Sequence, residues 1–334
     1  MMYVLGLQGS PRAKGNTNFL LDGLLDDLKE KGADTQKIHV RRLRVEPCIG
    51  CGYCEEKGIC VFADDDMAAR IYSMLRRADV VILAGPVYFY NFPAHIKAVI
   101  DRTQALWSRK YRLDLEDPGR PWRKGLLLSV GATRGKNLFD GMKLTARYFF
   151  DAVGADYTDS IVYRRIEAPG DLTNHPGVAD DIQSCAANLD SLLARKKILF
   201  ACRENACRSQ MAAGFARHLA GGRIDALSAG STPAPAVNPM MQEAMGEKGL
   251  DMVHLSPRSI DDVLSGIRPD MIVTMGCGEQ CPYIPGVSHV DWDLPDPAGQ
   301  SMDVMRQVRD EIEHRVRQLI DNQDGSGSLL KENS

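Results

Sequence analysis

One pattern runs along this 334-residue chain and narrows its fold more than any other feature. Short apolar runs alternate with stretches whose aliphatic residues recur every three to four positions, the signature of strands interleaved with amphipathic helices. Tyr3-Val4-Leu5-Gly6-Leu7 reads as a buried strand, and across Asn18 to Lys31 the residues Leu20, Leu21, Leu24, Leu25 and Leu28 share one helical face. Strand-like runs follow at 37–45, 79–84, 126–130 and 160–163, with helical stretches at 67–77, 93–107, 138–153 and 180–194. After Arg195-Lys196-Lys197 the pattern restarts, with strands at 198–201, 224–228, 271–275 and 287–291 and helices at 207–220 and 302–320. Alternation of this kind predicts the α/β class: two parallel sheets, each covered by helices on both faces. The expected boundaries are 1–195 for the first domain and 196–322 for the second. The polar, Gly/Ser-rich residues 323–334 are expected to be a disordered tail.

Composition removes several classes of function. Net charge is −3, so no global basic field argues for nucleic acid or a membrane surface. No apolar run approaches the ~18 residues of a membrane span. The N-terminus enters a strand-like run without a basic leader, which gives a cytoplasmic expectation. Nine cysteines in such a chain point to ligands, nucleophiles or redox pairs rather than structural disulfides.

Two of them stand in "ACRENACRSQ", residues 201–210. Cys202 and Arg208 form C-x5-R between a strand and an amphipathic helix. Loop N–H groups and a helix N-terminus there would face a bound dianion and favour a thiolate at Cys202. Arg208 can hold two oxygens through its planar fork, and Ser209 can donate to the sulfur.

The first domain carries a different cradle. "GSPRAKGNT" (9–17) lies between the first strand and the first helix, where Ser10, Arg12, Asn16 and Thr17 can add to backbone donors for a phosphate. "GPVYFYNFPAHIKAVIDRT" (85–103) and "SVGATRG" (129–135) follow other central strands at the same sheet edge. With these three loops the chain resembles the flavodoxin-like FMN reductases and, more closely, the iron–sulfur flavoproteins, over roughly residues 1–190. The resemblance implies a five-stranded doubly wound sheet and FMN. It places the ring beside Pro86, Val87, Tyr88, Phe89 and Asn91 on one side and Gly131, Ala132 and Thr133 on the other.

"PCIGCGYCEEKGIC" spaces its thiols as Cys48-x2-Cys51-x2-Cys54-x5-Cys60. Structural zinc more often uses two CxxC pairs on a longer loop, whereas a compact run suits three corners of a cubane. The spacing favours [4Fe–4S]; zinc, or a loop kept without metal, are the alternatives. The spacing and the following Asp64-Asp65-Asp66-Met67 resemble the iron–sulfur flavoproteins. That resemblance implies a homo-oligomer in which cluster and flavin approach across a subunit interface.

Residues 197–320 resemble the low molecular weight tyrosine phosphatases, a four-stranded doubly wound fold with two branches. Phosphatases follow their acidic Asp-Pro with an aromatic; here Asp296-Pro297-Ala298-Gly299 has none and looks like the arsenate reductase branch. In that branch Asp296 is the general acid. "TMGCGEQCPYIPG" (274–286) supplies Cys277 and Cys281, spaced so that a disulfide is feasible. The resemblance implies that Cys202 attacks arsenate, Cys277 attacks Cys202 and releases arsenite, and Cys281 completes a relay. Glu204 stands where the family has Gly, and the two relay cysteines are closer together than is usual. Cys207 either protects Cys202 through a disulfide or packs. Cys185, His289 and Trp292 read as scaffold.

The fusion reads as an arsenic-detoxification oxidoreductase. Flavin and cluster would feed electrons to the Cys277–Cys281 disulfide, or thioredoxin or another thiol would. NAD(P)H is a conceivable donor to the flavin, although no segment marks a nicotinamide pocket. A phosphatase fused to an NAD(P)H-dependent FMN reductase is the alternative. A redox sensor is the third reading.

Overall fold

The computed structural model describes residues 2–12, 14–276 and 284–325. Cys277 and Cys281 lie outside them. The chain divides into two compact units: one is residues 1–115 with Trp122–Ala194, the other is Glu116–Pro121 with the chain from Arg195 onward. Among the described residues no helix is long and apolar enough to cross a membrane.

In the first unit, strands β1 (Tyr3–Gln8), β2 (Asp34–His39), β3 (Val80–Pro86), β4 (Lys124–Gly131) and β5 (Asp156–Arg164) form one sheet in the order β2-β1-β3-β4-β5. Every pairing is parallel. This is the doubly wound order whose topological switch point lies between β1 and β3, where a ligand crevice is expected at the strands' carboxyl ends. All six residues of β1 are buried, which explains its unbroken apolar reading. Helices α1 (Asn16–Glu30), α2 (Tyr53–Lys57), α3 (Tyr72–Arg77), α4 (Ala94–Arg102), α5 (Gln104–Tyr111), α6 (Asp140–Ala152), α7 (Val178–Ala187) and α8 (Asp190–Leu193) connect and cover it.

Some boundaries differ from the sequence expectation. The second strand ends at His39, and a 3-10 turn at Val40–Arg42 replaces its expected continuation to Val45. Beyond the turn, the Arg44 and Glu46 N–H groups donate to the Asp66 and Asp65 carboxylates instead of to a sheet ladder. The helix expected over 67–77 begins as a wider π-helical turn, Met67–Ile71. The helix expected over 93–107 breaks at Thr103, whose buried hydroxyl donates to the Ile100 carbonyl at 2.6 Å.

In the second unit, strands β6 (Lys196–Cys202), β7 (Ile224–Gly230), β8 (Met271–Thr274) and β9 (Ser288–Asp291) form a parallel sheet in the order β7-β6-β8-β9. Helices α9 (Arg208–Ala220), α10 (Pro239–Gly246), α11 (Ile260–Leu264) and α12 (Met302–Gly325) flank it. Met211 and Phe215 of α9 and Met305, Val308, Ile312 and Val316 of α12 close one core against Ile198, Phe200 and Val273. Trp292 packs on Phe200 at 5.9 Å between ring centroids and is scaffold. Cys185 is buried in α7, and burial pushes its thiol up to about 12.

Candidate functional site

In the second unit, β6 ends at Cys202 and α9 begins at Arg208, so residues 203–207 make a tight loop over the central strand. The carbonyls of Cys202, Arg203, Glu204 and Ala206 accept from the N–H groups of Ser231, Thr232, Ala234 and Asn238. The Asn205 carbonyl accepts from Gln210 Nε2 at 3.1 Å. With its carbonyls committed to their neighbours, the loop presents the opposing peptide N–H groups to its inner side, the arrangement that makes an anion nest. Gly230 permits this approach: a Cβ there would sit 2.7 Å from Arg203 O and 2.8 Å from Asn205 N.

Cys202 is 2% exposed. Its sulfur accepts the Asn205 N–H at 3.2 Å and lies 3.0 Å from Ser209 Oγ. Asn205 Nδ2 donates to that Oγ at 2.8 Å, which leaves the serine proton for the sulfur. The amide cannot be flipped, because Asn205 Oδ1 accepts the Arg258 N–H at 2.9 Å. Asn205 holds a left-handed backbone, φ 51°, a conformation asparagine tolerates better than most residues. The sequence marks this residue only as an asparagine inside a strand-to-helix turn.

Arg208 donates through Nη1 to Leu294 O at 3.0 Å and through Nη2 to Asp296 Oδ2 at 2.7 Å. Asp296 is about half-exposed at this edge, and its Oδ1 accepts the Ala298 N–H. Cys202, Arg208, Ser209 and Asp296 therefore meet in one place. Glu204 is solvent-exposed rather than turned into the loop. Burial, with Asp296 and Cys202 adding to it, pushes the Cys207 thiol up to about 12. Cys207 is thus a packed, protonated thiol.

The first unit has a cavity of about 220 Å³ at the carboxyl ends of β1, β3 and β4. Ser10, Arg12, Asn16, Thr17, Pro86, Val87, Tyr88, Gly131 and Ala132 line it, with Ile166, Glu167 and Pro169 from the segment after β5. That last segment was not anticipated from the sequence. It is held by Asn16, whose Nδ2 donates to Ala168 O while its Oδ1 accepts from Gly170 N and Leu172 N. The Asn16 side chain therefore positions a wall at the first turn of α1. The N-cap Gly15 offers no side-chain cap to that turn, which suits an anion such as the FMN phosphate.

Phe89, Asn91 and Thr133 stand outside the lining. Phe89 and Tyr90 form the tip of a turn with φ 48° and 61°, closed by reciprocal Tyr88–Asn91 backbone bonds. The Asn91 side chain is committed to Thr145 Oγ1 and Phe92 N. Phe89 is fully exposed.

A second cavity of the first unit, about 420 Å³, is lined by Cys48, Cys51, Cys54 and Cys60 together with Phe62, Arg102 and Gln104. Burial raises the Cys54 thiol, and Ser108 Oγ lies 3.7 Å from its sulfur. Among the described residues no three Cys, His, Asp or Glu side chains converge on a single ion. Four thiols bordering one cavity are a donor set of the kind that holds an iron–sulfur cluster.

Comparison with known proteins agrees with this division. The family model of the NADPH-dependent FMN reductases matches residues 2–158. The model of the low molecular weight phosphotyrosine protein phosphatases matches residues 197–333. An iron-sulfur flavoprotein of Methanosarcina thermophila is 37% identical over 133 residues, covering 40% of this chain and 65% of that protein. The chain spans 45% to 65% of the length of the first such flavoproteins it matches. The glutaredoxin arsenate reductase of Synechocystis sp. is 37% identical over 127 residues, 37% of this chain and 96% of that protein. Arsenate reductase 2 of Staphylococcus saprophyticus is 38% identical over 131 residues, 38% of this chain and 98% of that protein. Among solved structures, a thioredoxin-dependent arsenate reductase of Corynebacterium glutamicum is 31% identical and covers 46% of this chain and 78% of that one, with a TM-score of 0.35.

Proposed function

Since this chain is an oxidoreductase that belongs, through its second unit, to the arsenate reductases of the low molecular weight phosphatase family and carries an FMN reductase-type domain ahead of it, we propose that it reduces arsenate to arsenite at Cys202. The observation that carries the reading is the loop whose carbonyls are all turned to neighbours, leaving N–H donors, Arg208 and one sulfur on the inner side.

Cys202 sulfur attacks arsenic and forms an S–As bond, while Asp296 gives a proton to the departing oxygen. Arg208 and the loop N–H groups carry the oxyanion charge. Cys277 thiolate then attacks the Cys202 sulfur; the S–As electron pair stays on arsenic, which leaves as arsenite. Cys281 attacks Cys277 and frees Cys202 as a thiolate, and an external dithiol such as thioredoxin or glutaredoxin reduces the Cys277–Cys281 bond. Burial, which pushes the Cys207 thiol up to about 12, disfavours it as a nucleophile in this relay.

In the first unit Ser10, Arg12 and the N–H groups of Asn16 and Thr17 would hold the FMN phosphate, with Val87, Tyr88, Gly131 and Ala132 beside the ring. Cys48, Cys51, Cys54 and Cys60 would ligate [4Fe–4S]. When bound, these groups supply a two-electron and a one-electron carrier, with NAD(P)H as a candidate donor. A homo-oligomer formed through this unit belongs to the same reading.

Steady-state assays test the proposal. With a thioredoxin or glutaredoxin regenerating system, Cys202→Ser abolishes arsenite formation, and Cys277→Ser or Cys281→Ser ends multiple turnover. A phosphatase is the second reading, favoured by the match of residues 197–333 to that family's model. It predicts rapid p-nitrophenyl phosphate hydrolysis that survives Cys277→Ser and no arsenite formation.

A further inference from the structure

Arg102, at the end of α4, lines the four-cysteine cavity although its side chain is 0% exposed. It is clamped from one side. Nη1 donates to Glu46 O at 2.8 Å and to Asp65 Oδ2 at 2.5 Å. Nη2 donates to Phe62 O at 3.2 Å and to Asp65 Oδ1 at 3.4 Å. Asp65 in turn accepts the N–H groups of Glu46 and Ala68. The two residues thus tie the ends of the cysteine loop together. Burial works against the Arg102 charge, but Asp65, Tyr72 and Cys60 outweigh it and hold the guanidinium protonated. Burial likewise opposes the Asp65 charge, and the bonds from Arg102, Ala68 N and Glu46 N overcome it.

The clamp uses only the Nη atoms. Arg102 Nε is also buried and has no hydrogen-bond partner. A buried donor without an acceptor is costly, and a charged one more so. A residue kept only to tie the loop would not need an unpartnered N–H on a side chain that borders a cavity walled by thiols. Because Asp65 neutralises the guanidinium, a group in the cavity would sense chiefly the local N–H rather than a full positive charge.

We propose that Arg102 is a positioning residue for the cluster, its Nε–H donating to a sulfur of the cluster or of a ligating cysteine and so favouring the reduced, more negative state. This rests on the assignment of [4Fe–4S] to Cys48, Cys51, Cys54 and Cys60. Hydrogen bonds to cluster sulfurs and burial are the protein's means of setting the potential.

The full chain, prepared anaerobically and reconstituted with iron and sulfide, tests this by metal analysis and an EPR-monitored redox titration. If the wild type takes up no iron and sulfide, the cluster assignment itself fails and this inference goes with it. With the cluster loaded, Arg102→Lys keeps a cation for Asp65 but loses Nε–H. Its retained cluster should show about a tenfold shift toward the oxidised form at fixed potential, ~59 mV for a one-electron couple. Thr103→Val removes the 2.6 Å bond from Thr103 Oγ1 to Ile100 O, loosening the same end of α4 away from the guanidinium, and should titrate as wild type. A wild-type potential in Arg102→Lys, with or without reduced loading, makes Arg102 a clamp only and overturns the proposal. An equal shift in Thr103→Val overturns it too. Should Arg102→Lys load no iron, wild type labelled with ¹⁵N-arginine decides. A nitrogen hyperfine coupling to the reduced cluster supports the donor; none rules it out.

Discussion

Asn205→Ala offers a sharp probe of how the anion loop controls its sulfur. The substitution removes the Nδ2 donor to Ser209 Oγ at 2.8 Å and the Oδ1 acceptor of the Arg258 N–H at 2.9 Å and of Gln210 Nε2 at 3.2 Å. Gln210 Nε2 keeps its other bond, to the Asn205 carbonyl at 3.1 Å, so only the first two are lost without a substitute. Two hydrogen bonds at about 1 kcal/mol each, plus about 1 kcal/mol for alanine in a left-handed backbone, make ~3 kcal/mol of destabilisation. The effect on rate has a different origin. Without Asn205 Nδ2, the serine hydroxyl is no longer directed at Cys202. A hydrogen bond to a charged sulfur contributes ~1.5–3 kcal/mol, so kcat/KM should fall roughly 10- to 100-fold. Urea unfolding and arsenate kinetics read the two effects separately. A double-mutant cycle with Ser209→Ala isolates the coupling. Once the hydroxyl is gone, Asn205→Ala should still cost stability but little further rate. Full kcat/KM in Asn205→Ala, or rate losses that simply add, would refute the serine's role as the directed donor.

Gly230→Ala should unfold at lower urea and lose most turnover. Its Cβ would meet loop backbone at 2.7–2.9 Å, and the anion loop must then move; a wild-type urea midpoint with normal kcat contradicts that packing. Cys207, its thiol pushed up to about 12, should resist iodoacetamide at pH 8 in the native protein and react only after unfolding, as read by mass spectrometry; rapid native labelling contradicts this. Glu247 is held down to about 2 by hydrogen bonds first from Arg306 and then from Arg309. A depressed carboxylate contributes stability above its unfolded value, and that contribution is lost as the pH falls through the folded one. Stability should therefore decline between about pH 4.3 and the folded value of about 2, and Glu247→Gln should flatten that part of the profile.

The two parallel sheets were legible because each central strand is buried on both faces and each long helix carries one apolar stripe, as β1 and Leu20 to Leu28 show. The grouping of Cys202, Arg208 and Ser209 at one loop was legible because the three are close in sequence. What escaped depends on distant partners. The second strand stops at His39 because carboxylates from 65–66 capture the backbone of residues 44 and 46. The break at Thr103 depends on one hydroxyl finding a carbonyl inside its own helix. Asn16 looked like a phosphate donor, yet its side chain reaches residues more than 150 positions away. Asn205 acquires its role from Arg258, and Arg102 from Asp65, pairings that no local pattern contains.

Stoichiometry in a single turnover tests the central claim most directly. The fully reduced chain, freed of external thiol, is mixed anaerobically with excess arsenate and quenched, and arsenite and disulfides are counted. The account predicts one arsenite per second-unit site, a new Cys277–Cys281 disulfide, and no arsenite from Cys202→Ser. Arsenite formed by Cys202→Ser at the wild-type rate, or none formed by the wild type, would contradict it.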